Sequence, residues 1–237
     1  MTDPGTTLRL PIADLPAPVL PGATVTISLA DDALRRAVDA AGGGRLALRA
    51  SPGDDTSSAP PDASEIVVTA RVPSTGNLPS GTPAAVIQVE QRARLIELHT
   101  SERGADHADV ESLPDPRPTP RVDALARELI AVLQPIAELR RSRRLPDLLR
   151  SGLEPGALAD GVVSWADWDA PQRRVVLDLV DPAARIEHVL AWAKDHLAEL
   201  QVAETIRNDV TEGVDQQQRE YQLRQQLAAI RKELGEG

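Results

Sequence analysis

The chain has 237 residues, 41% of them apolar, with no Phe, no Cys, one Tyr, one Met and three Trp, so any core is built from Leu, Val, Ile and Ala. Without cysteine, disulfides and thiol or cysteine-metal chemistry are excluded, and no apolar run approaches the roughly 18 residues of a membrane span. A net charge of −10, spread over both halves, disfavours a general nucleic-acid footprint, which needs clustered positive charge. The N-terminus lacks a signal-peptide pattern, so the expected compartment is cytoplasmic and no membrane partner is expected.

Proline divides the chain unevenly. Fifteen of the 20 prolines fall in the first 120 residues, five between Pro135 and Pro182, and none afterwards. Because proline removes a backbone donor and breaks helix interiors, turn-rich structure is expected first and continuous helix last.

The first region reads as short strands. Thr24–Leu29 and Ile66–Val72 are rich in β-branched residues and alternate, and a further pair, Ala84–Val89 and Arg92–Leu98, follows a turn containing Pro79 and Gly81. One helix interrupts them: Asp31 is the expected N-cap, Leu34, Ala37, Val38 and Ala41 form its apolar face, and Gly42–Gly44 end it. Ser51–Ser64, poor in large apolar residues, is expected to be a loop. Leu113–Pro120 has proline at every second position, enforcing an extended segment and a boundary.

Helices then follow: Arg121–Arg141, with Pro135 as a potential kink, and three shorter ones opening at Pro146, Pro155 and Pro171. From Pro182 about 50 residues lack any breaker except Gly213. Ile186, Leu190, Ala193, Leu197 and Leu200 form an apolar stripe, and Leu223, Leu227, Ile230 and Leu234 form a distal seam that needs a partner. Either the helix belongs to a bundle and projects beyond it, or it is a lever to another domain or subunit. The expected organisation is a β-rich region over residues 1–118, a helical bundle over 119–181 and a long helix over 182–237.

No phosphate-binding loop or nucleophile elbow is present; the two lysines, Lys194 and Lys232, follow no Gly-rich turn. His188 and His196 lie eight apart, too far for ligation on one helical turn, and read as part of a solvated face. Neither catalytic residues nor a cofactor or metal site is expected within the chain. Arg140, Arg141, Arg143 and Arg144 form the one dense basic cluster, read either as cations at a helix C-terminus or as a local anion or nucleic-acid contact. Trp165 and Trp168, three apart, are expected to share a helix face, as core anchors or as a partly exposed surface for unfolded polypeptide.

Three stretches together resemble the N-terminal region of Lon-type ATP-dependent proteases: Val19–Leu29 (VLPGATVTISL), Leu78–Leu95 (LPSGTPAAVIQVEQRARL) and Arg219–Gly237 (REYQLRQQLAAIRKELGEG). Leu177–Leu190 (LDLVDPAARIEHVL) is also similar to the stretch opening that family's long helix. The resemblance implies an α+β fold: a β-rich, PUA-like pseudo-barrel, a helical bundle and one long projecting helix. It further implies a noncatalytic region that recognises unfolded or degron-bearing protein substrates and helps homohexamer assembly and gating. ATP, Mg and a Ser-Lys peptidase dyad would belong to modules outside this chain, which is expected to be a fragment. A stand-alone PUA-like module binding nucleic acid or protein is the alternative. Val89 stands where the family tends to have Gly in a bend, so that bend is expected to be built differently.

Overall fold

A computed structural model describes residues 6–51, 65–166 and 168–233, with side chains described outside 208–217 and 228–233. Six strands come first: β1 (Thr7–Leu15), β2 (Thr24–Ser28), β3 (Arg45–Ala50), β4 (Ile66–Asn77), β5 (Pro83–His99) and β6 (His107–Leu113). Helix α1 (Asp32–Ala41) lies between β2 and β3. Helices α2 (Pro120–Leu139), α3 (Arg144–Arg150), α4 (Pro155–Trp165), α5 (Ala170–Asp178) and α6 (Pro182–Glu233) complete an α+β chain. Except for Ser51, the expected loop at Ser51–Ser64 lies in the stretch between the described residues.

The strands form one sheet in the order β2-β5-β4-β3-β1-β6, and β5 pairs with β6 as well. That second pairing closes β5, β4, β3, β1 and β6 into a ring. It is possible because β5 is 17 residues long: its first half pairs with β2 and its second half with β6. β2 is left bonded on one side only. The sequence reading expected two strands here, and β5 is one strand with a bulge. Val89 pairs with Ala70 and Gln91 with Thr69, so Glu90 is the extra residue. The bend is made by a bulge, which needs no glycine. In β4 a second irregularity falls between Arg71 and Ser74, at Pro73, whose missing N–H cannot serve the ladder.

Alternation along the strands separates two apolar clusters. Ile12, Ala47, Val67, Ala93, Ala108 and Val110 gather in the smaller one, where three alanines suit the limited room of a narrow ring. Their neighbours Leu46, Leu48, Ile66, Val68 and Ile87 join the larger one with α1 and with Leu129, Leu133, Ile136, Leu158, Val162 and Ile186 of the helices. The core is therefore continuous from sheet to helices, and the absence of Phe is met by branched aliphatic side chains.

The caps follow the chemistry of the sequence. Asp31 accepts from Leu34 N at 2.8 Å, and Gly42 ends α1 with φ 55°, a left-handed conformation costly for residues with a Cβ. Pro120 and Pro155 begin α2 and α4, and α5 has a proline in its first turn under a complete capping box of Asp169 and Gln172. Pro135 lies inside α2 without ending it.

Helix α6 runs 52 residues without interruption, past Gly213, a length of about 78 Å at 1.5 Å per residue. It packs along α2 and α4. Ile186, Val189, Leu190 and Ala193 are buried, and Leu197 and Leu200 are partly buried. Beyond them Val202, Ile206, Tyr221, Leu223 and Leu227 are exposed, so the helix leaves the bundle near residue 200.

Candidate functional site: a pocket between strand β2 and the α4–α5 junction

Two unlike segments face each other across a pocket of about 250 Å³. One wall is the turn leading into β2 and its first residues: Val19, Leu20, Thr24 and Val25. The other is the end of α4 and the start of α5: Val163, Trp168 and Arg173. The turn is held open by Gly22 at φ 82°, whose N–H donates to Val89 O, so the bulged part of β5 anchors this wall.

The pocket is mostly apolar, yet two donors on its lining residues are unsatisfied. Trp168 is 94% buried by the complement of its 6% exposure, and its Nε1 has no hydrogen-bond partner; Arg173 Nε is also buried and unpartnered. Leaving a buried donor unpaired costs about 1–3 kcal/mol. The neighbouring Asp169 carboxylate is engaged as the α5 cap, accepting from Gln172 N.

The Trp168 ring is fixed from behind by α6. Its centroid lies 5.1 Å from that of Trp192 and 5.9 Å from that of His188, both edge-on, and Trp192 stacks on His196 at 5.0 Å. This corrects two expectations. Helix α4 ends at Trp165, so Trp165 and Trp168 do not share a helix face; Trp165 instead donates from Nε1 to Ser142 Oγ at 3.2 Å. His196 is not on a solvated face but half-buried against Trp192, while His188 is exposed.

Behind the pocket wall, sheet and helices are joined by charge. Arg92 of β5 makes a bidentate pair with Asp160 of α4, both contacts 2.7 Å, and donates to the carbonyls of Val176 and Leu177. Arg185 of α6 reaches Asp160 at 3.1 Å and Asp115 at 2.9 and 3.1 Å, and donates to the carbonyls of Leu179 and Val180. Two guanidiniums thus balance two carboxylates. Burial raises the Asp160 carboxyl above the ordinary aspartate value, against the opposing pull of Arg92 and Arg185.

The expected interaction residues are dispersed. Arg140, Arg141, Arg143 and Arg144 are exposed around the α2–α3 junction, with Arg140 lying 5.7 Å over the Trp165 ring and Arg141 at φ 49°. The arginines stand at the end of α2, where the carbonyls of Ile136, Ala137 and Glu138 already accept from the backbone N–H groups of Arg140, Ser142 and Arg141. Leu223 and Leu227 are exposed on α6; the Ile230 side chain and Leu234 lie outside the described residues. Trp168 alone among the expected residues lines the pocket.

A separate cluster brings Glu97, His99 and Asp109 within 4.8 Å of one another. Arg9 holds both Asp109 oxygens at 2.8 Å, and His99 Nε2 lies 3.0 Å from Asp109. A guanidinium at that distance opposes a divalent cation, and the cluster reads as a cross-strand ion pair. Arg9 first, then His99, holds the Asp109 carboxyl well below the usual range. A depressed folded-state pKa contributes stability above the unfolded value, near pH 4, which is lost as pH falls below it. Thermal melting from pH 7 to pH 2 will therefore show a shallower acid loss in Asp109→Asn than in the unmodified chain; parallel profiles would remove this assignment.

The sheet, bundle and projecting helix define an α+β architecture that matches the solved N-terminal domain of Mycobacterium avium complex Lon protease. The TM-score is 0.69 at 28% identity, covering 80% of this chain and 100% of that one. A Lon N-terminal domain protein from Xanthomonas campestris shares the fold, with a TM-score of 0.54 at 19% identity over 78% of this chain and 98% of that one. Residues 9–195 match the family described as the ATP-dependent protease La (LON) substrate-binding domain, and the chain belongs to that family. It is 38% identical to the Lon protease of Mycolicibacterium smegmatis over 92% of this chain and 27% of that protein. To the Lon protease of Salinispora arenicola it is also 38% identical, over 96% and 28%. The chain therefore spans little more than a quarter of the length of these relatives. Among the described residues, no helix is long and apolar enough to cross a membrane.

Proposed function

We propose that this chain is the noncatalytic substrate-recognition region of a cytoplasmic Lon-type ATP-dependent protease, acting on unfolded or degron-bearing proteins. The observation that carries this reading is the family match over residues 9–195, which takes in the sheet from Arg9 onward, α1 to α5 and the fully buried part of α6. ATP and Mg, and a Ser-Lys peptidase dyad, belong in this reading to other modules of the parent protein.

The exposed half of α6 supports the second part of the reading, a role in homohexamer assembly and gating. Val202, Ile206, Leu223 and Leu227 leave apolar surface on a helix that has already left its bundle, and such surface is stabilised by a partner helix or domain. Several copies around a ring would also raise the effective affinity of individually weak substrate contacts.

Photo-crosslinking tests the recognition role. With β-casein as the unfolded protein and the assembled parent protease as the receptor, labelled peptides are expected from residues before Gly237. Labelling confined to an ATPase pore would remove the role.

A further inference from the structure

We propose that the free edge of β2 binds an extended polypeptide by strand addition, with one apolar side chain of that polypeptide seated in the adjoining pocket. This deepens the reading of the chain as a substrate-recognition region and rests on it.

β2 has a partner on one side only, and its register with β5 fixes which of its backbone groups are free. Val89 N donates to Ala23 O at 2.9 Å and Leu29 N to Pro83 O at 2.8 Å. In an antiparallel ladder the bonded side alternates, so odd-numbered residues from Ala23 to Leu29 face β5 and Thr24, Thr26 and Ser28 turn their N–H and C=O outward. Among the described residues those outward groups have no backbone partner. A free edge with exposed threonines and no charge or proline across it is a template for another extended chain.

The pocket lies at the start of this edge, since Thr24 and Val25 line it. An extended peptide supplies a backbone donor and acceptor for the outward groups of β2 at every second residue. The aliphatic walls select an apolar side chain at the pocket position, and the one charged lining residue, Arg173, selects against lysine or arginine there.

The test uses the 237-residue chain and a fluorescein-labelled, end-blocked hexapeptide of alternating valine and serine, read by anisotropy. Thr26→Pro removes an outward N–H while sparing the ladder to β5, and is expected to weaken binding about 10-fold. Val25→Thr, which makes part of the aliphatic pocket wall polar, is expected to weaken it about 3-fold. The same peptide with lysine in place of valine should not compete, and a free C-terminal carboxylate should change binding less than about twofold. Wild-type affinity in Thr26→Pro overturns the proposal, as does binding that requires the free carboxylate. β-Casein crosslinking separates this failure from that of the underlying reading. If casein labels the chain while the variants bind the peptide normally, the pocket assignment alone is lost; if casein does not label the chain, the recognition role is lost with it.

Discussion

Replacing Asp160 with alanine will lower the unfolding free energy of the chain by about 3–5 kcal/mol, the range seen when one partner of a buried ion pair is removed. Arg92 is 2% exposed and Arg185 is fully buried, so both guanidiniums stay inside when their shared carboxylate goes. Arg185 retains Asp115, which is a third exposed, whereas Arg92 retains only the carbonyls of Val176 and Leu177. Arg92→Met should cost less, because it leaves Asp160 paired with Arg185 and replaces a buried charge by a chain of similar length. The order of the two losses in urea unfolding is the discriminating result. A loss below about 1 kcal/mol for Asp160→Ala would mean that the apolar core alone joins sheet to helices, and equal costs would mean that Arg185 does not keep Asp160 paired when Arg92 is replaced. The same network sits behind Val163 and the α4–α5 junction, so its loss should also loosen one wall of the pocket and weaken peptide binding.

Much of the architecture was legible because proline, glycine and capping residues act locally. Asp31, Gly42, Pro120, Pro155 and the breaker-free run after Pro182 each state a boundary that tertiary packing did not override. β1, β3 and β6 were missed for a physical reason. Each carries few β-branched residues, and Arg45–Ala50 (RLALRA) reads as readily helical, so pairing rather than propensity makes these segments strands. Of the pocket, only Trp168 stood out, because its lining comes from residues about 140 positions apart that meet through the fold. The buried network left one sign that went unread: Asp160 stands among Leu158, Ala159, Val162 and Val163, and an acid on an apolar helix face needs a buried partner. Which arginines supply it is a matter of topology, since Arg92 and Arg185 lie 68 and 25 residues away.

Gly156→Ala will be destabilising by about 2–4 kcal/mol, although alanine is the better helix former by about 0.5–1 kcal/mol. Gly156 lies in the first turn of α4 with no positive φ, so backbone conformation does not require glycine there. Space does. A Cβ at this position would land on Asp115 Oδ2 and lie 3.0 Å from Arg185 Nη1. Asp115 is a short side chain held by two bonds to Arg185, so it can yield only by giving up that pair and leaving Arg185 with Asp160 as its remaining carboxylate. The two sites are therefore coupled, and the coupling has a definite sign. In an Asp115→Ala background the obstacle is gone, the new methyl occupies vacated space, and Gly156→Ala should cost less than about 1 kcal/mol or become neutral. Urea unfolding of the two single variants and the double variant measures this. Additive losses would show that Gly156 is not held by the Asp115–Arg185 pair, and that the close approach of α4 to the segment before α2 can relax without breaking it.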